Sequence, residues 1–226
     1  MQVKLLHYTP LWVASKAIRK CWASEDKSDT YIYDASADPD GLENTYEDGE
    51  VITGPKDKAL IERVGNKNKH SSTLEHINYS FDIDGISRAC LQEVARHRIA
   101  SYSVKSTRYT LKELASEPVF NAYSDLDRVS KYCILTNNDM VDESISRALE
   151  NLRQCVRAGI SNDKAKYCLP EAYKASLVWT VNARSLQNFL FLRTDKAALW
   201  EIRDLANEIF NQLPDEHKYL FKEFIK

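Results

Sequence analysis

Strict alternation of apolar and polar side chains limits the folds open to this chain of 226 residues. Ile77, Tyr79, Phe81 and Ile83 alternate with polar residues, and residues 175–181 repeat the pattern with polar or smaller residues between the apolar ones. A period of two puts the apolar side chains on one face of a strand. Both stretches are therefore predicted to be strands, the first of them half buried, and the fold must contain a sheet.

Helical periodicity occupies much of the remaining sequence, with start signals such as Thr9-Pro10. Helices are predicted over residues 10–22, 56–67, 87–98, 139–158, 163–169, 183–193, 197–213 and 215–226. Together with the strands they give an α+β class. The length fits one domain or two small ones, and a single domain over residues 1–226 is favoured.

The acidic segment from Glu25 to Glu50 differs from its surroundings. It contains ten acidic residues against the single Lys27, together with proline and glycine breakers. Such a composition does not pack tightly by itself. A solvated loop or insertion is predicted at about residues 25–54.

The overall charge excludes some classes of partner. A net charge of −2 and an isoelectric point near 6.2 argue against a surface built throughout for nucleic acid or an acidic membrane. No apolar run approaches the roughly 20 residues that cross a bilayer, and residues 1–7 lack the pattern of a secretory leader. A soluble chain is expected, with neither nucleic acid nor membrane as its partner.

The five cysteines, Cys21, Cys90, Cys133, Cys155 and Cys168, are widely spaced and form no C-x-x-C pair. This pattern fits neither a disulfide framework nor a zinc site, so no metal is expected. A reducing cytoplasm is the simplest location. Each cysteine is expected to serve as a small buried apolar residue.

A basic stretch without any acidic residue runs from Val94 to Lys112. Its inner cationic and hydroxyl side chains belong to Arg96, His97, Arg98, Lys105, Arg108, Ser101, Ser103, Ser106 and Thr107. Guanidinium groups bind two phosphate oxygens at once, and hydroxyl groups satisfy further lone pairs. A phosphorylated ligand is the favoured occupant, with a solvated basic face as the alternative.

A second stretch places an arginine on the apolar side of a predicted helix. Asn182, Leu186, Phe189 and Arg193 fall on one line at i, i+4, i+7 and i+11. Because a guanidinium is costly to bury alone, a ligand anion or an ion pair is expected at Arg193. The alternative is an arginine at a helix end that extends its charge into water.

The spacing of these residues resembles a known family. Residues 96–98 (RHR), followed by seven residues and then by 106–108 (STR), resemble the signature of flavin-dependent thymidylate synthases. Residues 182–193 (NARSLQNFLFLR) look like the second strong motif of that family. Residues 70–76 (HSSTLEH) and Leu169-Pro170 add further similarity.

The resemblance covers about residues 56–213 and implies both fold and function. Family members have a central, mostly antiparallel sheet with flanking helices, and they are homotetramers with active sites shared between subunits. They convert dUMP to dTMP with 5,10-methylenetetrahydrofolate as one-carbon donor, FAD as hydride carrier and NADPH as reductant. No cysteine here precedes a histidine, as the unrelated cysteine-dependent thymidylate synthases would require.

Site roles follow from the resemblance position by position, with Arg193 as the catalytic residue that faces the uracil. The residues implied to bind FAD are His70, Ser72, Arg96, His97, Arg98, Val104, Asn182, Ala183, Arg184 and Asn188. The residues implied to bind the nucleotide are Gln92, Glu93, Arg96, Val104, Lys105, Ser106, Thr107, Arg108, Lys166 and Arg193.

Four positions depart from the commoner family pattern. Glu93 stands where a glutamine usually contacts dUMP, with Gln92 beside it, so either residue is a candidate. Val104 replaces a Glu or Gln, Lys166 replaces an arginine, and Ala197 replaces a histidine found in some members. Lys166 keeps the charge but not the bidentate geometry of an arginine.

Three other functions remain open from the sequence alone. The first is a nucleic-acid-binding module that uses residues 96–108, with Tyr102 and Tyr109 for base stacking. The second is a flavoprotein with a different substrate, and the third is a catalytically silent oligomer with the same fold.

Overall fold

A four-stranded antiparallel sheet forms the centre of the fold. The computed structural model describes residues 1–33, 50–107, 111–121 and 124–226. The strands are β1 (Gln2–Tyr8), β2 (Tyr31–Tyr33), β3 (Glu50–Ile52), β4 (Asn78–Ser87), β5 (Ala100–Val104) and β6 (Lys174–Asn182). The order in the main sheet is β1-β4-β6-β5, and β2 pairs separately with β3. All of these pairings are antiparallel, which confirms the predicted α+β class with a central antiparallel sheet.

Helices pack around this sheet. They are α1 (Leu11–Cys21), α2 (Pro55–Ile61), α3 (Arg88–Val94), α4 (Leu126–Tyr132), α5 (Asp139–Arg157), α6 (Asn162–Ala165), α7 (Ala183–Arg193) and α8 (Trp200–Gln212). Between them lie a π-helical turn at Glu62–Lys67 and several 3₁₀ turns. Within the described ranges no helix is long and apolar enough to cross a membrane.

The two predicted strands supply the main core. β4 and β6 pair in register, with Phe81 opposite Trp179, and both side chains are fully buried. Phe189 of α7 packs against Trp179 with ring centroids 5.0 Å apart. The opposite face of the sheet is polar, and there the hydroxyls of Ser80 and Thr180 lie 2.8 Å apart. The alternation in the sequence therefore gave the correct orientation of both strands.

The edge strands β1 and β5 carry no comparable signal and were not predicted. In β5 only Ala100 and Tyr102 are partly shielded from solvent, and Val104 is 42% exposed. Edge strands pair on one side only and need no continuous apolar face. β1 and β5 are therefore recognised as strands from their pairing with β4 and β6, and not from their own sequences.

Some predicted helix bounds are wrong. α3 ends at Val94, so residues 96–98 follow the helix instead of completing it. Tyr102 fixes this ending, because its hydroxyl donates to the carbonyl oxygen of Val94 at 3.0 Å and contacts that of His97. Residues 215–226 form short 3₁₀ turns around the buried Leu220 and Phe221 rather than a helix.

A second, smaller hydrophobic cluster lies among the helices α4, α5 and α6. Its buried members include Leu114, Val129, Leu149 and Leu152. Tyr173, just before β6, belongs to this cluster. The helical cluster therefore joins the sheet at the start of β6.

The acidic segment, predicted to be a solvated loop or insertion, has hydrogen-bonded structure at its two ends. The carboxylate of Asp29 accepts the backbone N–H groups of Lys56 and Asp57 at 2.8 and 2.9 Å. It thereby satisfies donors at the start of α2 that have no partner within the helix. Residues 34–49 lie outside the described residues.

The expectation that every cysteine is buried is wrong. Cys90 and Cys133 are buried, but Cys21 and Cys168 are exposed and Cys155 is partly exposed. Apolar periodicity identified the helix that carries Cys155, but it did not specify which face the sulfur occupies.

Candidate active site

The two sequence motifs meet along one cleft of about 600 Å³. One wall is α7, and the other is the segment that follows α3. The lining residues are Glu75, Arg96, His97, Arg98, Ile99, Arg184, Ser185, Asn188, Leu192 and Arg193. The cleft thus combines two arginines of each motif region with polar and apolar groups, a mixture that suits an organic anion.

α7 starts directly where β6 ends, which fixes the direction of its side chains. The side-chain oxygen of Asn182 accepts the N–H of Ser185 at 2.8 Å and so caps the helix. Arg184 and Asn188 are four residues apart and therefore lie on the same side of α7. Asn182 thus has a structural role in addition to its predicted contact with the cofactor.

Arg193 is held by three contacts at the end of α7. Its Nε donates to Nε2 of His97 at 3.0 Å. Its Nη1 and Nη2 donate to the carboxylate and the carbonyl oxygen of Glu93 at 2.7 and 3.2 Å. The ion pair expected on the apolar side of this helix is confirmed. A guanidinium carries five N–H groups, so two remain for a ligand in the cleft.

His97 is a neutral acceptor in this arrangement. Because Arg193 donates to Nε2, the proton of the imidazole must lie on Nδ1. Burial, reinforced by the nearby charge of Arg193, lowers the pKa of His97 from 6.5 to about 4. The ring also packs edge-on against Phe189 with centroids 4.9 Å apart. These contacts fix the plane of the Arg193 guanidinium.

The other cations of the cleft are much more open. Arg96 is 74% exposed and lies 3.8 Å from the carboxylate of Glu93, and Arg98 is exposed. Arg184 donates to Glu75 at 2.7 Å, in a pair of which both members are largely exposed. Exposed pairs of this kind contribute roughly 0–1 kcal/mol, so an anionic ligand can displace the carboxylate at little cost.

Glu93 and Gln92 point to different partners. Glu93 contacts Arg193 at the cleft, whereas the amide of Gln92 donates to the exposed carboxylate of Glu171 at 2.9 Å. Of the two candidates for the nucleotide contact, the structure therefore brings only Glu93 to the cleft.

A second, smaller cleft of about 270 Å³ adjoins the first. The two share Arg184 and Asn188, and residues 69 and 71 contribute to the smaller one. The predicted cofactor residues His70 and Ser72 are exposed beside it but line neither cleft. Ala183 is fully buried, and its N–H donates to Ile77 at 2.8 Å.

The remaining predicted nucleotide residues lie at the other end of β5. Val104, Lys105 and Thr107 line a recess of about 120 Å³. Arg88, Lys131 and Lys174 also line this recess, and the sequence did not identify them because they come from three separate elements. Ser106 lies between two of the lining residues. Arg108 lies outside the described residues.

Two further residues affect the choice of function. Lys166 begins the 3₁₀ turn Lys166–Cys168 and lines none of these cavities.

Tyr102, a candidate for base stacking, is partly buried and stacks on Trp179 with centroids 6.4 Å apart. The stacking on Trp179 and the hydroxyl bond to the carbonyl oxygen of Val94 hold the ring against the sheet core. This position argues against base stacking by Tyr102.

Comparisons with known proteins identify related sequences and structures. The family model described as thymidylate synthase complementing protein matches residues 4–217. A flavin-dependent thymidylate synthase of Campylobacter jejuni is 54% identical over 222 residues, which are 98% of this chain and 96% of the relative. One from Helicobacter pylori is 48% identical, with both chains fully covered. A crystal structure of Helicobacter pylori thymidylate synthase X with FAD and dUMP matches with a TM-score of 0.85, 47% identity and full coverage of both chains.

Proposed function

The chain belongs to the flavin-dependent thymidylate synthase family, and on that premise we propose that it converts dUMP to dTMP. The one-carbon donor is 5,10-methylenetetrahydrofolate, FAD carries the hydride and NADPH is the reductant. The observation that carries the proposal is the cleft itself, in which a fixed Arg193 lies beside the open cations Arg96, Arg98 and Arg184. A cytoplasmic location is supported by five cysteines that form no C-x-x-C pair.

The cleft fits FAD in charge and in surface character. Arg96, Arg98 and Arg184 are able to hold the pyrophosphate, since guanidinium groups bind phosphate oxygens in pairs. The amide of Asn188 offers hydrogen bonds, and Leu192 offers apolar surface for a ring system. When bound, FAD supplies the hydride that completes the methyl group on the pyrimidine.

Arg193 is the residue that we assign to the reaction at the uracil. Its two remaining N–H groups can donate to a carbonyl oxygen of the ring, where negative charge develops when C5 becomes nucleophilic. Held by His97 and Glu93, the guanidinium needs little reorganisation when that charge appears. Glu93 and His97 are therefore positioning residues for Arg193.

We infer that a complete nucleotide site combines residues from more than one copy of the chain. The predicted phosphate residues Lys105, Ser106 and Thr107 follow β5, whereas Arg96 and Arg193, which are also assigned to the nucleotide, line the cleft near the start of this strand. Five strand residues advance roughly 16 Å, so one subunit does not place both groups around a single mononucleotide. We propose a homotetramer in which the two ends of β5 from different subunits complete each site.

The activity is tested by release of tritium from C5 of labelled dUMP. FAD-loaded protein should release the label only when methylenetetrahydrofolate and NADPH are both present. Absence of flavin-dependent release would reject the proposal. If NADPH still reduces the bound flavin, the protein is a flavoprotein with another substrate. If the flavin also stays oxidised, it is a silent member of the family.

Self-association is tested separately by light scattering. A mass of about four times the 26.0 kDa chain is expected. A monomer that releases label at full rate would contradict the shared site.

A further inference from the structure

Two cysteine sulfurs lie in contact outside the cleft. Sγ of Cys155, near the end of α5, is 4.0 Å from Sγ of Cys168. A disulfide requires a separation of about 2.0 Å, so these are two thiols in van der Waals contact. The chain between them turns back at Gly159, whose φ of +75° lies in the left-handed region, and continues through the short helix α6. The fold therefore holds the two sulfurs together.

The surroundings of this pair differ from those of the other cysteines. Cys168 is exposed and Cys155 is partly exposed, so a small oxidant can reach them. Cys90 and Cys133 are buried, and burial raises the pKa of both thiols, that of Cys133 to about 12. Cys21 is also free and exposed, and the contact between two sulfurs belongs to Cys155 and Cys168.

The two thiols of the pair have distinct roles in an oxidation. Burial, followed by the contact with Cys168, raises the pKa of Cys155. The thiolate is the nucleophile in thiol oxidation, so the more exposed Cys168 meets the oxidant first and Cys155 reacts second.

We propose that Cys155 and Cys168 are a modification site that forms a reversible disulfide with hydrogen peroxide as the oxidant. The thiolate of Cys168 attacks one peroxide oxygen, the O–O bond breaks, and protonation of the leaving hydroxide gives water and a sulfenic acid. The sulfur of Cys155 then displaces the sulfenic oxygen as a second water. In total, two thiols and one peroxide yield one disulfide and two waters.

The disulfide also acts on Lys166, a step that rests on the proposed function. Cys168 ends the 3₁₀ turn that Lys166 begins, and the carbonyl oxygen of Lys166 accepts the N–H of Leu169 at 3.2 Å. Bringing the sulfurs about 2 Å closer requires rotation of the two cysteine side chains, and we expect the turn that carries Cys168 to shift with them. Because the family resemblance assigns Lys166 to the nucleotide, a shift of this turn should raise the KM for dUMP about three- to tenfold and leave kcat little changed.

The disulfide is tested by mass spectrometry on the full-length protein. Peroxide treatment of wild type should yield a linked peptide pair containing Cys155 and Cys168, two hydrogens lighter than the reduced peptides and restored by dithiothreitol. C155S and C168S should lose the link, and the matched surface control C21S should keep it. The proposal fails if both thiols stay free to alkylating reagent, or if Cys168 reaches sulfinic acid as fast in wild type as in C155S.

The link to Lys166 is tested with the same samples after the peroxide is removed. Tritium release at varied dUMP should show a raised KM for oxidised wild type and an unchanged KM for treated C155S. An unchanged KM in fully disulfide-bonded wild type would overturn the effect on Lys166. Absence of release from reduced protein would instead reject the proposed function, and the mass measurement would still decide the disulfide.

Discussion

Two arginine–carboxylate pairs in this molecule have similar short contacts and different surroundings. Arg19 and Asp57 join α1 to α2, with Nε of Arg19 2.6 Å from the carboxylate. The second oxygen of Asp57 accepts the hydroxyls of Ser28 and Thr30 at 2.5 and 2.6 Å. The side chain of Asp57 is fully buried and that of Arg19 is 8% exposed. This pair is closed, since both carboxylate oxygens have protein partners.

The pair between Arg193 and Glu93 is open on one side. Arg193 is 14% exposed, Glu93 is 31% exposed, and Arg193 lines the cleft. Among the residues that the structure describes, three of the five guanidinium N–H groups of Arg193 have protein partners. Arg19 also has protein partners for three of its N–H groups, two at Asp57 and one at the carbonyl oxygen of Ser24, so the number of spare donors does not separate the pairs. What differs is exposure to the cleft, which supports the binding role proposed for Arg193.

The closed pair should carry the larger stability effect. Removing one member of a buried pair leaves an uncompensated charge and costs about 3–5 kcal/mol. D57A should therefore lower the free energy of unfolding by about that amount, measured by urea denaturation. R193A is the matched control and should change it by less than about 1 kcal/mol, because its partner is partly solvated. Equal losses in both variants would contradict the distinction.

The open pair should carry the larger catalytic effect. R193A removes the charge assigned to the uracil, and loss of one preorganised donor costs about 2.7–4 kcal/mol, or roughly 100- to 1000-fold in kcat. Tritium release from labelled dUMP measures the rate, and the absorbance of bound flavin measures cofactor content. R193A should keep its FAD. Loss of flavin in proportion to the loss of rate would mean that Arg193 holds the cofactor instead.

The sequence indicated a charged partner for Arg193, but it did not indicate the pair between Arg19 and Asp57. Arg193 was expected to meet an anion, because helical spacing placed it in line with Leu186 and Phe189. Arg19 and Asp57 gave no such signal, since the carboxylate belongs to a different helix and its hydroxyl partners precede β2. Periodicity within one helix indicates which of its faces is buried. It does not indicate which distant element packs against that face.

The same limit applies to the cleft. Residues 96–98 and 182–193 were identified from their spacing, but the direct contact between Glu93 and Arg193 spans 100 positions. Strand β5, which separates the two halves of the first motif, is an edge strand without apolar alternation. The sequence therefore indicated one continuous basic stretch that begins at a helix end, whereas the structure places its halves at opposite ends of a strand.

As the pH falls, protonation of His97 should destabilise the surroundings of Arg193 before the pair of Arg19 and Asp57 is affected. In the folded protein His97 stays neutral down to its pKa of about 4, whereas an unfolded histidine takes a proton below about 6.5. Protonation therefore favours the unfolded chain, and stability is lost as the pH falls from about 6.5 to 4. The loss amounts to roughly 3 kcal/mol for this group. His217, whose pKa burial also lowers to about 4, should add a similar loss.

H97Q separates the two histidines, because a glutamine amide accepts a hydrogen bond but does not titrate in this range. Urea denaturation between pH 7 and 4 should show about half of the histidine-linked loss in H97Q. Asp57 should stay ionised throughout, since the bonds from Ser28, Thr30 and Arg19 outweigh burial and lower its pKa. A pH dependence in H97Q identical to that of wild type would place the titration elsewhere.

The smallest effect should come from changing the charge of Glu93 while keeping its shape. E93Q retains an oxygen for Nη1 of Arg193, and the carbonyl contact to Nη2 belongs to the backbone. Because the pair is partly exposed, its charge should contribute no more than about 1 kcal/mol to stability. Loss of a negative charge beside Arg96 should favour an anionic ligand, so the KM for dUMP should fall a few-fold while kcat stays near that of wild type. E93A lacks the acceptor oxygen and should instead lower kcat, so equal kinetics in E93Q and E93A would show that Glu93 does not position Arg193.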